Sequence, residues 1–244
     1  MLALLTWGAA WICFEDHWED LELKPTLLSA FLGTFVIAWV IWRTSLVSGY
    51  EGILYITPTA ALIGLACLLG PVRRIRLYRD IFAIFALFPA WILLVKFFPE
   101  KVLSFATSYA SGFLLKLLGL DPSVDGRIIS FTGGTAVRVE GACNGLEVIY
   151  QAFAVAVIFL ICFPLRRRSD RLTLLIFAPL IGAFSNIVRV ALLGFIVAIG
   201  GTIKESSFEF WHEGTGSLIF SGASIMLVGF FYSRLIQRQL NANP

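Results

Sequence analysis

Long runs of apolar residues alternate with short polar segments along this 244-residue chain. Six of these runs are at least 18 residues long, enough for an α-helix to cross the roughly 30 Å hydrocarbon core of a membrane. The opening run, Met1–Phe14, is shorter and borderline. The pattern predicts membrane-spanning helices at Pro25–Trp42, Ile53–Gly70, Ile81–Phe98, Gly145–Pro164, Leu172–Gly200 and Gly216–Ile236.

The composition supports a membrane location. Hydrophobic residues make up 58% of the chain and charged residues only 14%, whereas about 25% of the residues of a soluble domain are charged. The net charge of +3 is small, and no Lys/Arg run is interleaved with aromatic residues, so a nucleic-acid partner is not expected. We predict an all-α polytopic membrane protein, a bundle of about six to eight transmembrane or re-entrant helices.

Two arginine-rich clusters, Arg73–Asp80 and Arg166–Arg171, indicate the orientation of these helices. Positively charged loops stay in the cytoplasm, so both clusters are expected there. Ile81–Phe98 then crosses outward and Gly145–Pro164 crosses back. This topology places Pro99–Asn144 on the extracytoplasmic side, while the orientation before residue 52 is left open.

The extracytoplasmic segment has two parts. Val102–Leu120 is apolar but rich in serine and threonine, and the topology makes it a re-entrant or surface-lying helix. Two short β-branched runs, Ile128–Thr132 and Thr135–Val139, flank Gly133-Gly134 and predict a hairpin. Gly201–Glu213 is expected on the same side of the membrane. We interpret residues 1–244 as one membrane domain with a small extracytoplasmic cap.

Cysteine spacing distinguishes one thiol from the other three. No C-x-x-C or H-x-x-x-H pattern occurs, so neither zinc nor another cofactor is expected. Cys13, Cys67 and Cys162 lie in or beside apolar runs and are interpreted as packing residues. Cys143 lies where a charged loop meets an apolar run. We expect it at the water-facing start of a helix, where a thiolate is stabilised and a substrate can reach it.

Polar side chains inside the spans are few. Ser185 and Asn186 lie four and three residues before Arg189, on the same helix face. An arginine within the bilayer is normally paired or functional, although a side chain that snorkels to the interface is an alternative. His212 lies at the outer start of the last span, on the same membrane face as Cys143. Counting the spans backwards would place His17 on the opposite face, and it is interpreted as a solvated loop residue.

These residue types suit acyl transfer. A Cys143 thiolate could attack a peptide carbonyl, and Arg189 could stabilise the resulting oxyanion. An imidazole can exchange protons near neutral pH, so His212 could serve as acid and base. A carboxylate next to the thiol would oppose its ionisation. We therefore expect Glu140 and Glu147 to orient Arg189, His212 or the substrate.

The stretch EGACNGLE, followed by NIVRV and FEFWHEGTGSLIF, resembles the exosortase/archaeosortase family over about Leu23–Tyr232, and the chain looks most like its cyanobacterial members. The resemblance implies a membrane-embedded cysteine transpeptidase in the inner membrane, with its active site on the extracytoplasmic side. It implies a triad of Cys143, Arg189 and His212. The implied substrates are exported proteins that end in a short motif such as Pro-Glu-Pro, a transmembrane helix and a basic tail.

Two positions depart from the family pattern: Asn144 stands where many members have serine, and Glu147 where many have arginine. The substrate motif therefore cannot be carried over from other branches, and the acceptor, whether lipid-linked or polysaccharide-linked, is left open. Hydrolysis by an intramembrane cysteine protease would use the same residues. An anion transporter built around Arg189 is a further alternative, but the chain lacks the internal repeats common in transporters.

Overall fold

The computed structural model describes residues 2–15, 24–49, 52–71, 78–199, 204–212 and 215–241. Its helices are α1 (Leu2–Glu15), α2 (Leu27–Ser45), α3 (Thr57–Leu69), α4 (Arg79–Phe85), α5 (Leu87–Phe97), α6 (Glu100–Leu117), α7 (Leu146–Cys162), α8 (Arg168–Ile199), α9 (Lys204–His212) and α10 (Thr215–Asn241). Its strands are β1 (Ser123–Asp125), β2 (Ile128–Ser130) and β3 (Ala136–Arg138).

Each predicted span coincides with helical structure. Within the described part of the chain, four stretches are long and apolar enough to cross a membrane: Leu27–Ser45, Arg79–Phe97, Arg168–Ile199 and Ser207–Asn241. The helices α3 and α7, which correspond to two other predicted spans, are shorter at 13 and 17 residues. The chain is thus a multi-pass membrane protein, and the total of six to eight transmembrane or re-entrant helices stays a prediction.

The predicted span Ile81–Phe98 is interrupted at Ala86, which separates α4 from α5. Pro89 lacks the N–H that would bind the Phe85 carbonyl four residues earlier. The hydroxyl of Thr59 in α3 donates to that carbonyl at 2.8 Å instead. The interruption therefore has a local cause, because a neighbouring helix supplies the donor that proline removes.

The chain forms two compact units. The first consists of Met1–Phe98 with Leu160–Pro164. Within it, α2 and α3 cross closely where two glycines meet, since a Cβ at Gly33 would lie 2.7 Å from the Gly64 carbonyl oxygen. The buried Cys13 lies 3.6 Å from Cys162, sulfur to sulfur. Cys13 and Cys67 are buried among apolar residues, which agrees with a packing role.

The second unit consists of Pro99–Phe159 with Leu165–Pro244. Its α6 corresponds to the predicted re-entrant or surface helix, and it buries one polar face. The four side chains of this face repeat at helical spacing: Ser104, Thr107, Ser108 and Ser111. Their burial shows that this polar face points into the protein rather than toward water.

The predicted hairpin is confirmed and extended. β2 and β3 pair antiparallel with Ile129 opposite Val137, and the connecting Gly133 and Gly134 have φ of +107° and +79°. A third strand, β1, pairs with the other edge of β2 and is not predicted by the sequence pattern. The three residues of β1 are too few to show an alternating pattern.

Parts of the sequence predictions fall outside the described residues. These are the loop that contains His17, most of the cluster Arg73–Asp80, and the two ends of Gly201–Glu213. The central part of this last segment forms α9.

Candidate active site

Cys143 ends a 3-10 turn, Gly141–Cys143, directly after β3 and shortly before α7. Its backbone N–H donates to the Glu140 carbonyl at 2.7 Å. Next to it, the Asn144 side-chain oxygen accepts the backbone N–H of Leu146, the first residue of α7, at 2.9 Å. The cysteine therefore precedes the helix start, as the sequence predicts.

The expectation that Cys143 faces water is wrong. The residue is only 2% exposed and belongs to an apolar cluster. Side chains from the sheet, including Ile129 and Val137, and from α8, including Val190 and Leu193, form this cluster with it. The hydropathy pattern predicts a boundary at Cys143, but it cannot reveal that the cap and α8 enclose the thiol.

Asn186 of α8 holds the Cys143 turn. Its Nδ2 donates to the Cys143 carbonyl at 2.9 Å, and the residue is 1% exposed. Gly145 has a φ of +91°, and a Cβ there would lie 2.5 Å from Asn186 Nδ2. Gly145 thus meets two requirements at once, a left-handed backbone and room for the Asn186 amide.

A second side chain reaches the same turn from α6. The Thr107 hydroxyl donates to the Asn144 carbonyl at 3.0 Å, and both groups are buried. Ser111, one turn farther along α6, donates to the Ile187 carbonyl of α8 at 3.1 Å. In the sequence these hydroxyls stand out only as polar residues in an apolar segment. Their spacing, a polar stripe on one helix face, was the signal that could have identified them.

Arg189 lies one turn after Asn186 and contacts the end of α9. Its Nε donates to the Trp211 carbonyl at 3.3 Å, and its Nη2 donates to the His212 carbonyl at 2.5 Å. The last carbonyls of a helix lack intrahelical donors and carry partial negative charge, so a guanidinium is well suited to them. Arg189 is 3% exposed, unlike a snorkelling arginine, which keeps its head group in water.

His212 is therefore joined to Arg189 through its backbone. Its imidazole stacks on Phe208, with ring centroids 5.2 Å apart and planes 15° apart. Phe208 and Trp211 also pack against the apolar cluster that contains Cys143. The structure thus brings α9 and the Cys143 turn against the same part of α8.

The other predicted site residues make contacts elsewhere. Ser185 donates to the Phe220 carbonyl of α10 at 2.9 Å. The exposed Glu147 accepts a hydrogen bond from Gln151 Nε2 at 3.0 Å. The carboxylate of Glu140 pairs with two arginines of the cap, Arg127 at 3.1 Å and Arg138 at 3.6 Å. No group of three or more His, Cys, Asp or Glu among the described residues could hold a metal ion.

In this membrane protein, one helix thus carries both an amide that binds the turn of a buried thiol and, one turn farther along, a buried guanidinium. The family model for transmembrane exosortases matches residues 1–229, and the chain belongs to this family. It is therefore a member of a class of membrane-embedded cysteine transpeptidases that sort proteins. No curated protein and no solved structure matches the chain.

Proposed function

We propose that this protein cleaves carboxy-terminal sorting signals of exported proteins through a Cys143 thioester and transfers the acyl group to an acceptor. The observation that carries this proposal is the pair of contacts from one helix. Asn186 binds the Cys143 carbonyl, and Arg189 binds the His212 carbonyl one turn farther along. A single rigid element therefore holds both the proposed nucleophile and the segment that bears the proposed acid and base.

The proposed reaction has two steps. The Cys143 thiolate attacks the scissile carbonyl, and the positive charge of Arg189 stabilises the oxyanion. The C–N bond then breaks as His212 protonates the departing amine, which leaves a thioester. In the second step an acceptor amine or hydroxyl loses its proton to His212 and attacks the thioester. The C–S bond breaks, and the thiolate is restored.

Substrate access requires movement around the thiol. Because Cys143 is 2% exposed, a peptide that reaches its sulfur has to displace apolar side chains of the surrounding cluster. Exclusion of water from such a site strengthens the interaction between Arg189 and the oxyanion. It also favours transfer to an acceptor over hydrolysis, the alternative outcome of the same first step.

The remaining predicted residues take supporting roles in this proposal. Asn144 caps α7 beside the nucleophile, and Ser185 ties α8 to α10. Glu140, three residues before Cys143, pairs with two arginines of the cap. Glu147 is exposed in the first turn of α7, where it is available to orient a substrate.

Co-expression with a candidate substrate that carries a transmembrane helix and a basic tail tests this proposal. Mass spectrometry of the processed protein should give a new carboxy terminus that carries the acceptor, whereas a free carboxylate would indicate hydrolysis. Cys143→Ala should abolish processing with little change in the amount of protein in the membrane. Cys67→Ala, at a thiol buried elsewhere, is the matched control. Processing by Cys143→Ala would overturn covalent catalysis.

The proposal also places the site on the extracytoplasmic face of the inner membrane. Thr132 in the hairpin and Ser169 at the start of α8 are both exposed. In intact cells, an impermeant maleimide should label Thr132→Cys but not Ser169→Cys, while the wild-type protein reports any reaction of native thiols. Labelling of Ser169→Cys would contradict this orientation.

A further inference from the structure

The Cys143 turn is bound from two helices through its backbone. Asn186 of α8 donates to the Cys143 carbonyl at 2.9 Å, and Thr107 of α6 donates to the next carbonyl, that of Asn144, at 3.0 Å. All four groups are buried. Two donors from different helices, acting on consecutive carbonyls, restrict both the position and the rotation of the turn.

A stability role alone does not account for Asn186. Its Oδ1 is buried and has no hydrogen-bond partner among the described residues. Burying such an acceptor is unfavourable, and this cost offsets part of what the bond from Nδ2 to the Cys143 carbonyl contributes to stability. Residues that lower stability in this way are typical of functional sites.

We propose that Asn186 and Thr107 are positioning residues for the Cys143 thiol, and that they act through the backbone carbonyls of the turn. The inference rests on the proposed function, because it assigns the two side chains to the reaction of Cys143. Neither residue touches the reacting atoms in this role. Each holds the turn so that the sulfur is directed toward the scissile carbonyl, and small errors in such positioning are costly.

The hydrogen bonds from Thr107 and Asn186 are each tested with a different variant. Thr107→Val keeps the shape of the side chain and removes only the hydroxyl donor. Asn186→Asp also keeps the shape, but an ionised carboxylate cannot donate to the Cys143 carbonyl and repels it. A protonated carboxyl regains an O–H donor. Low pH should therefore rescue the aspartate variant selectively.

The experiment uses the full-length protein in detergent micelles and two measurements. The first is the rate of substrate processing between pH 5 and pH 8. The second is the rate at which iodoacetamide alkylates each native thiol, followed by peptide mass spectrometry. Cys13, Cys67 and Cys162 serve as internal references. Ser224→Ala is the matched control, because it removes a buried hydroxyl that bonds the Ser221 carbonyl within α10.

We expect Thr107→Val to slow processing about fivefold, the effect of losing one ordinary hydrogen bond. It should speed alkylation of Cys143 by a similar factor while the other three thiols react as in the wild type. Asn186→Asp should process about tenfold more slowly or worse at pH 8. Its rate relative to the wild type should rise toward one as the pH falls to 5.

Three results would overturn the proposal. The first is that both variants process substrate and react at Cys143 at the wild-type rates, and the second is that the processing rate of Asn186→Asp relative to the wild type does not change with pH. The third is that alkylation of all four thiols becomes equally faster in both variants. The last result would mean that the bonds hold the fold in general. If the wild-type protein processes no substrate, the proposed function fails, whereas the alkylation rates still test whether the two side chains hold the thiol.

Discussion

Helix packing in the first unit differs from helix packing in the second. In the first unit, the hydroxyl of Thr59 donates to the carbonyl of another helix, but α2 and α3 meet at Gly33 and Gly64 without polar side chains. In the same unit, Trp7 packs edge-on against Phe85 with ring centroids 5.2 Å apart. In the second unit, polar side chains of α6 and α8 donate hydrogen bonds to backbone carbonyls of other segments. The donors are Thr107, Ser111, Ser185, Asn186 and Arg189.

The two kinds of contact differ in how narrowly they fix the position of one segment relative to another. Apolar packing depends on shape and volume, and it tolerates modest rearrangement. A hydrogen bond requires one donor to meet one acceptor at about 2.9 Å and at a favourable angle. The second unit therefore has the type of packing that a reacting thiol needs. Substitutions at the two kinds of contact should therefore have different effects on processing and on stability.

Arg189→Lys should slow processing about a hundredfold or more. Lysine keeps the positive charge, but its single ammonium cannot reproduce the fork that binds the Trp211 and His212 carbonyls through Nε and Nη2. The variant should insert and accumulate normally, as quantified in membrane fractions alongside a single-turnover assay. Turnover close to the wild-type rate would mean that the reaction does not require the guanidinium geometry of Arg189.

Gly145→Ala should be the most damaging small substitution in the second unit. The new Cβ would lie 2.5 Å from Asn186 Nδ2. The alanine would also have to adopt the φ of +91° that Gly145 has, and this backbone strain alone costs on the order of 1–3 kcal/mol. Processing should fall more than in Gly134→Ala, a matched control with a φ of +79° and nothing within 4 Å of its Cβ. Equal effects in the two variants would mean that only backbone strain matters at Gly145.

Gly33→Ala tests the contrasting type of packing in the first unit. Its Cβ would lie 2.7 Å from the Gly64 carbonyl oxygen, and overpacking of this kind costs about 1–3 kcal/mol. We expect a lower temperature of unfolding in detergent, with no change in the alkylation rate of Cys143 in the folded protein. Gly8→Ala is the control, because nothing lies within 4 Å of its Cβ. A faster reaction of Cys143 would show that glycine packing also controls the thiol.

Ser108→Ala should have the smallest effect. The Ser108 hydroxyl lies 2.5 Å from the Gly126 carbonyl oxygen at the β1–β2 turn, and losing such a hydrogen bond costs about 0.5–1.5 kcal/mol. The unfolding temperature should fall modestly, while Ser233→Ala, at an exposed serine of α10 that bonds within its own helix, should leave it unchanged. Indistinguishable unfolding temperatures would mean that the polar face of α6 does not stabilise the cap.

Much of the architecture could be predicted because it depends on local patterns. Apolar runs of sufficient length predicted the spans, and β-branched runs around Gly133-Gly134 predicted the hairpin, which the structure confirms. The interruption at Ala86 could also have been anticipated from Pro89, which removes a donor from its own helix. In each case the cause and its effect lie within a few residues of each other along the chain.

The sequence by itself determined the membrane class and the positions of the main helices, and it indicated a short set of candidate site residues that includes Cys143, Asn186 and Arg189. Only the tertiary structure decided that Cys143 is buried, that Thr107 belongs beside it and that Arg189 binds the carbonyls at the end of α9. Every backbone carbonyl is chemically alike, so a side-chain donor does not reveal from the sequence which carbonyl it will bind. That choice depends on packing between segments far apart in the chain, such as Asn186 and Cys143, 43 residues apart.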